Sequence, residues 1–180
     1  MRESSKASLC GIVSALAVVI MLSTYLSPLL VYTAPPFAGL LLLIIVNELG
    51  YKWSLGSYVT ISLLSVFLIA DKESAVFFTF FFGYYPILVV FLNKTVKIKA
   101  LCIILKFLIF NASCIMSLLL SSFFFGIDGD DILSEGALYL VIFVFLLNVF
   151  FFIYDLLIVR LQLLYRIKLR KTIKKIFNIK

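Results

Sequence analysis

"DKESAVFFTFFFGYYPILVVFLNK", residues 71–94, sets three charges against a phenylalanine-rich run, interrupts that run with Gly-Tyr-Tyr-Pro, and closes it with a lysine. Its reading depends on the solvent around residues 75–93. The composition of the whole chain supplies the answer: 180 residues, 64% of them hydrophobic and 14% charged, with a mean hydropathy of +1.19. A soluble domain of this size is about half apolar and a quarter charged. Too little polar surface exists here to cover a globule in water, so lipid is the solvent. The fold class expected is an all-α polytopic membrane protein, a six-helix transmembrane bundle.

A helix needs about 20 apolar residues to cross a hydrocarbon layer roughly 30 Å thick. Working outward from residues 75–93, the other segments of suitable character are 8–31, 36–50, 54–70, 100–125 and 137–163. The breaks between them follow local chemistry. "TAPP" (33–36) stops a helix by proline sterics, "GYKW" (50–53) is a tight turn, and "DKES" (71–74) is a charged one. "NKTVKIK" (93–99) is basic, and "IDGDDILSEG" (127–136) is an acidic, glycine-containing loop. Segment 36–50 is short, rising only about 22 Å, so a re-entrant hairpin over 34–70 is the alternative to two crossings. The N-terminal "MRESSKASLCGIVSALAVVIML" resembles a signal peptide but reads as a retained first helix.

Lys and Arg accumulate on the cytoplasmic side of membrane proteins. With six spans and the N-terminus inside, that side holds Arg2, Lys6, Lys52, Lys94, Lys97, Lys99 and the basic residues between Arg166 and Lys180. The outside then holds Lys72 together with Asp71, Glu73, Asp128, Asp130, Asp131 and Glu135. Both termini are therefore expected to be cytoplasmic. Residues 1–165 form the bundle, and 166–180 are a basic amphipathic tail that anchors to anionic lipid or docks on a partner.

Ionisable and amide groups inside the membrane are expensive, so each needs a partner or a purpose. Lys106 and Asp155 sit at matching depths on consecutive antiparallel helices, which predicts an ion pair. Asn111 and Asn148 match in the same way, one or two turns deeper. This ladder is either helix glue or the lining of a solute cavity. Gly83 and Pro86 lie near mid-span, where a proline frees a carbonyl and kinks the helix. Tyr84 and Tyr85 lie too deep for an interfacial aromatic belt and are expected to point inward. A kinked helix lining an interior pocket is one reading and packing alone is the other. Tyr84, Tyr85, Asn111 and Asn148 are thus the ligand-binding candidates, and Asp71, Lys72 and Glu73 the candidate outer gate. Ala7, Gly11 and Ala15 recur at i, i+4 and mark a small-residue stripe, for packing within the bundle or against another subunit.

Cys10, Cys102 and Cys114 fall in apolar runs without metal-ligand spacing, and the chain has no His; no metal or other cofactor is expected. Neither a catalytic constellation nor a Gly-rich phosphate loop occurs, so an enzyme is not expected, nor is a nucleic-acid partner.

Six helices, the stripe on the first and a proline-bearing first outer loop make the chain resemble the S components of energy-coupling factor transporters. "NELGYKWSL", "DKESAVFFTFFFGYYPI" and "VFFFIYDLLIVRL" are also similar to an uncharacterised family of bacterial six-span membrane proteins loosely grouped with them. The first resemblance implies a small-molecule receptor in the bacterial cytoplasmic membrane, with a solute site opening outward under the outer loops. It further implies that Ala7, Gly11 and Ala15 pack on a transmembrane coupling subunit, and that separate cytoplasmic ATPases supply the energy. The alternative function is a non-transporting scaffold or accessory protein of an envelope complex.

Overall fold

The computed structural model describes residues 3–125, 137–165 and 167. Among them the chain is helical, with no strand. In order come α1 (Glu3–Leu22), a 3₁₀ turn (Ser23–Leu26), α2 (Pro28–Glu48), α3 (Tyr51–Leu68), α4 (Lys72–Phe77), a π turn (Phe78–Phe82), α5 (Tyr85–Thr95), α6 (Lys99–Phe125) and α7 (Ala137–Leu164). The α4–π–α5 run behaves as one interrupted rod. Among the described residues five helices are long and apolar enough to cross a membrane: Glu3–Leu26, Pro28–Glu48, Lys72–Thr95, Lys99–Ser117 and Val144–Leu164. That is the make-up of a multi-pass helical membrane protein. The acidic stretch 127–136 and the tail, apart from residue 167, lie outside the described residues.

The first break differs from the sequence expectation. The chain leaves the helix at Ser27, which is extended at φ −161° and ψ 140°, and Pro28 opens α2 at its first turn. A residue before proline avoids the α region, and a first-turn proline loses no hydrogen bond. Pro35 and Pro36 do not stop the helix as "TAPP" suggested; both lie inside α2. With no water at membrane depth, leaving the helix would orphan more backbone groups than the two prolines do. Segment 36–50 is consequently part of a 21-residue helix, long enough at 1.5 Å per residue to cover about 31 Å. Gly50 makes the α2–α3 turn with φ +86°, a conformation that disfavours any side chain.

α1 packs through Leu9, Val13, Ala17 and Met21 onto α2 and α3. α3 buries Ser54, Ser57, Ser62 and Ser65; such small side chains let helices approach closely, which is what drives association in lipid. One end of the bundle is basic and aromatic: Lys6 lies 5.9 Å from the Trp53 ring and Lys94 6.0 Å from the Tyr51 ring. Asp71, Lys72 and Glu73 occupy the other end of α3 and the start of α4.

The phenylalanine run folds inward. Phe78, Phe81 and Phe82 are buried, and Phe81 meets Tyr85 at 4.8 Å and Phe110 at 4.9 Å. Phe110 in turn stacks on Phe151 at 4.6 Å. At the π turn the Gly83 N–H reaches back five residues to the Phe78 carbonyl, 2.7 Å away. The Thr79 carbonyl thereby loses its usual helical donor, and the Tyr58 hydroxyl of α3 replaces it at 2.6 Å. Pro86 has no N–H to give the Phe82 carbonyl. That oxygen lies against α2, where a Cβ added to Gly39 would stand 2.1 Å from it. The irregularity therefore fixes α4–α5 to both neighbours.

Candidate functional site

Three helices meet at an ion pair whose lysine is buried and whose aspartate is partly exposed. Lys106 of α6 is 4% exposed, and its Nζ lies 3.0 Å from Asp155 Oδ1 of α7 and 3.2 Å from Oδ2. Tyr85 at the start of α5 is fully buried and donates its hydroxyl to Asp155 Oδ1 at 2.8 Å. One carboxylate thus accepts from an ammonium and a phenol, which offsets the desolvation that an isolated intramembrane charge would suffer. Towards the middle of α6 and α7, Asn111 Nδ2 donates to Asn148 Oδ1 at 3.3 Å. Each Asn amide also donates to the carbonyl four residues back, Phe107 or Val144.

Two further tyrosines, one in α7 and one just past its end, bond to α2, and sequence reasoning did not single them out. Tyr154 donates to the Pro36 carbonyl at 3.2 Å, and Tyr165 to Glu48 Oε1 at 3.0 Å. A depth count would have placed Tyr85 beside Asp155, since both stand about ten residues from the same end of their helices. No local signal marks Tyr154 against Pro36.

Among the described residues, clefts flank this interior. The first, about 400 Å³, lies at the acidic end and is lined by Pro28, Val31, Tyr32, Ala70, Asp71, Lys72 and Glu73. All three gate candidates therefore share one cleft. Lys72 Nζ turns into the end of α3, donating to Val66 O at 2.8 Å and Ile69 O at 2.9 Å. It caps that helix, where a cation meets the negative end of the dipole. Tyr25 completes the junction, donating to Leu68 O at 2.8 Å and accepting from Ala70 N–H at 2.9 Å.

The second cleft, about 340 Å³, is a groove lined by Tyr58, Thr79, Phe80, Tyr84, Ile109, Ala112, Ser113 and Met116. Tyr84 is the only ligand-binding candidate on its wall. Tyr85 is committed to Asp155, and Asn111 and Asn148 to each other. Tyr84 and Ser113 share a short hydrogen bond.

Ala7, Gly11 and Ala15 are exposed on α1, and a Cβ at Gly11 would meet nothing within 4 Å. The stripe faces away from the described bundle. Among the described residues no group of three or more His, Cys, Asp or Glu could hold a metal, and Cys10, Cys102 and Cys114 are free thiols. Comparison with protein-family models, curated proteins and solved structures gave no match.

Proposed function

We propose that the chain is the membrane-embedded, small-molecule-binding subunit of a transporter, energised by a separate coupling subunit and ATPases. The observation that carries this reading is the outward small-residue stripe. Ala7, Gly11 and Ala15 leave an approach open to another helix, and such close approach is how helices associate in lipid. In this reading the bundle spans a bacterial cytoplasmic membrane six times, α3 included, with both termini inside. The Lys6, Lys52 and Lys94 end is cytoplasmic by the distribution of basic residues. The Asp71–Glu73 cleft then faces outward.

One observation favours the competing reading, a scaffold or accessory protein. Lys106, Asp155, Tyr85, Asn111 and Asn148 bond among themselves, as helix glue does. Pull-down of the tagged chain from its native membrane in mild detergent separates the two. Recovery of a multi-span coupling subunit with ATPases, lost in Gly11→Leu, is the expected result. Recovery of envelope proteins alone would leave the scaffold.

A further inference from the structure

We propose that the groove between α3, the π turn and α6 binds a neutral, largely apolar molecule that carries a hydrogen-bond donor and enters from the bilayer. This rests on the small-molecule-binding reading above and names the chemistry of the ligand. Tyr58 lies near the middle of α3, Tyr84 between the two halves of the α4–α5 rod, and Ser113 near the middle of α6. The groove is therefore at half-depth, away from headgroups and water. Its volume of about 340 Å³ falls within the range of small-molecule sites, about 300–1,000 Å³. Met116 on its wall is 52% exposed, so the groove opens sideways onto lipid.

Charge is excluded by the lining. None of the eight lining residues is ionised at neutral pH. The nearby Lys106 and Asp155 neutralise each other, leaving no counter-ion for a charged ligand at this depth.

A proton count sets the polarity of the ligand's functional group. Ser113 commits its single hydroxyl hydrogen to Ile109 O at 2.8 Å, so Tyr84 is the donor in the Tyr84–Ser113 bond. Tyr58 spends its own hydrogen on Thr79 O. Tyr84 is left with acceptor capacity on the groove wall. Thr79 lines the same groove, and its Oγ1 is buried and has no hydrogen-bond partner among the described residues. An O–H group brought by a ligand answers both openings, donating to Tyr84 Oη and exchanging a hydrogen bond with the Thr79 hydroxyl, and a buried polar atom left unmatched is destabilising. Tyr58 and Tyr84, edge to face at 6.3 Å, and Phe80 offer aromatic surface for the apolar remainder.

The test uses the full chain in phosphatidylcholine nanodiscs and two photoreactive probes, a diazirine-bearing decanol and its methyl ether. The probes differ in one hydrogen-bond donor. After illumination, peptide mass spectrometry locates the label. The alcohol is expected to label residues 79–84 and 109–116 at least threefold more than the ether, and Tyr84→Phe and Thr79→Val should each abolish that excess. Should Tyr84→Phe not fold, Thr79→Val, nearly isosteric and at a side chain without a partner, still decides. Equal labelling by both probes, or an excess unchanged in the folded variants, would overturn the proposal. Equal labelling with coupling subunit and ATPases still copurifying would refute the groove and leave the transporter reading standing. An excess in the groove without those partners would keep the groove and remove transport.

Discussion

Gly39→Ala places one methyl group where α2 crosses the interrupted rod. Its Cβ would stand 2.1 Å from the Phe82 carbonyl oxygen, 2.9 Å from the carbonyl carbon and 3.1 Å from the Tyr154 hydroxyl. Ordinary contact begins at 3.4 Å, so α2 and the π turn must separate by about 1.3 Å, the difference between 3.4 and 2.1. Both partners at the tightest contact are backbone, and no rotamer change relieves it. Overpacking of this kind costs about 1–3 kcal/mol. Displacing Tyr154 from Pro36 O adds the loss of an interhelical bond, about 0.6 kcal/mol and at most about 1.7. The better helix propensity of alanine returns about 0.5–1 kcal/mol. The net is a destabilisation of about 1–3 kcal/mol, or roughly 2–12 °C in melting temperature for a chain of this size. Gly11→Ala is the internal control, because nothing lies within 4 Å of its Cβ and only the propensity gain remains. Thermal unfolding of the three proteins in one detergent, followed by Trp53 fluorescence, reads both effects. A Gly39→Ala protein melting within 1 °C of wild type would refute the close approach of Gly39 and Phe82.

Removing one member of the ion pair leaves the other uncompensated, so Lys106→Met and Asp155→Leu should each destabilise the solubilised protein by about 3–5 kcal/mol. The double variant should recover part of that loss, and strictly additive damage in the cycle would count against coupling. Tyr58→Phe withdraws the donor that serves the Thr79 carbonyl. It should cost about 1 kcal/mol in the same melting assay and accelerate amide exchange across residues 78–84, whereas unchanged exchange would argue that the π turn holds itself.

Depth was legible in the sequence because a helix rises a fixed 1.5 Å per residue. Counting from the helix ends is enough to set Lys106 opposite Asp155 and Asn111 opposite Asn148 on antiparallel neighbours. The same count reaches Tyr85, but a phenol carries no charge to demand a partner, so its bond to Asp155 emerges only from the fold. Helix limits were less legible where proline occurs. Pro28 opens a helix and Pro35 and Pro36 are carried through one, because the absence of water penalises a break more than a missing N–H. The role of Gly39 was hidden for a different reason. Its neighbour Phe82 is distant in the chain, and its need for a bare Cα arises from a carbonyl freed by Pro86. The groove has the same origin, since it forms where α3 and α6 flank the π turn and its polar pattern depends on which hydroxyl donates to which.

The most direct test of the solute-binding claim is mass spectrometry of the small molecules released by denaturing the tagged protein after mild-detergent extraction from its native membrane. One compound is expected to be retained in near-stoichiometric amount by the wild type and lost in Tyr84→Phe. Release of bulk lipids alone, in the proportions of the surrounding membrane and identical in both proteins, would contradict it.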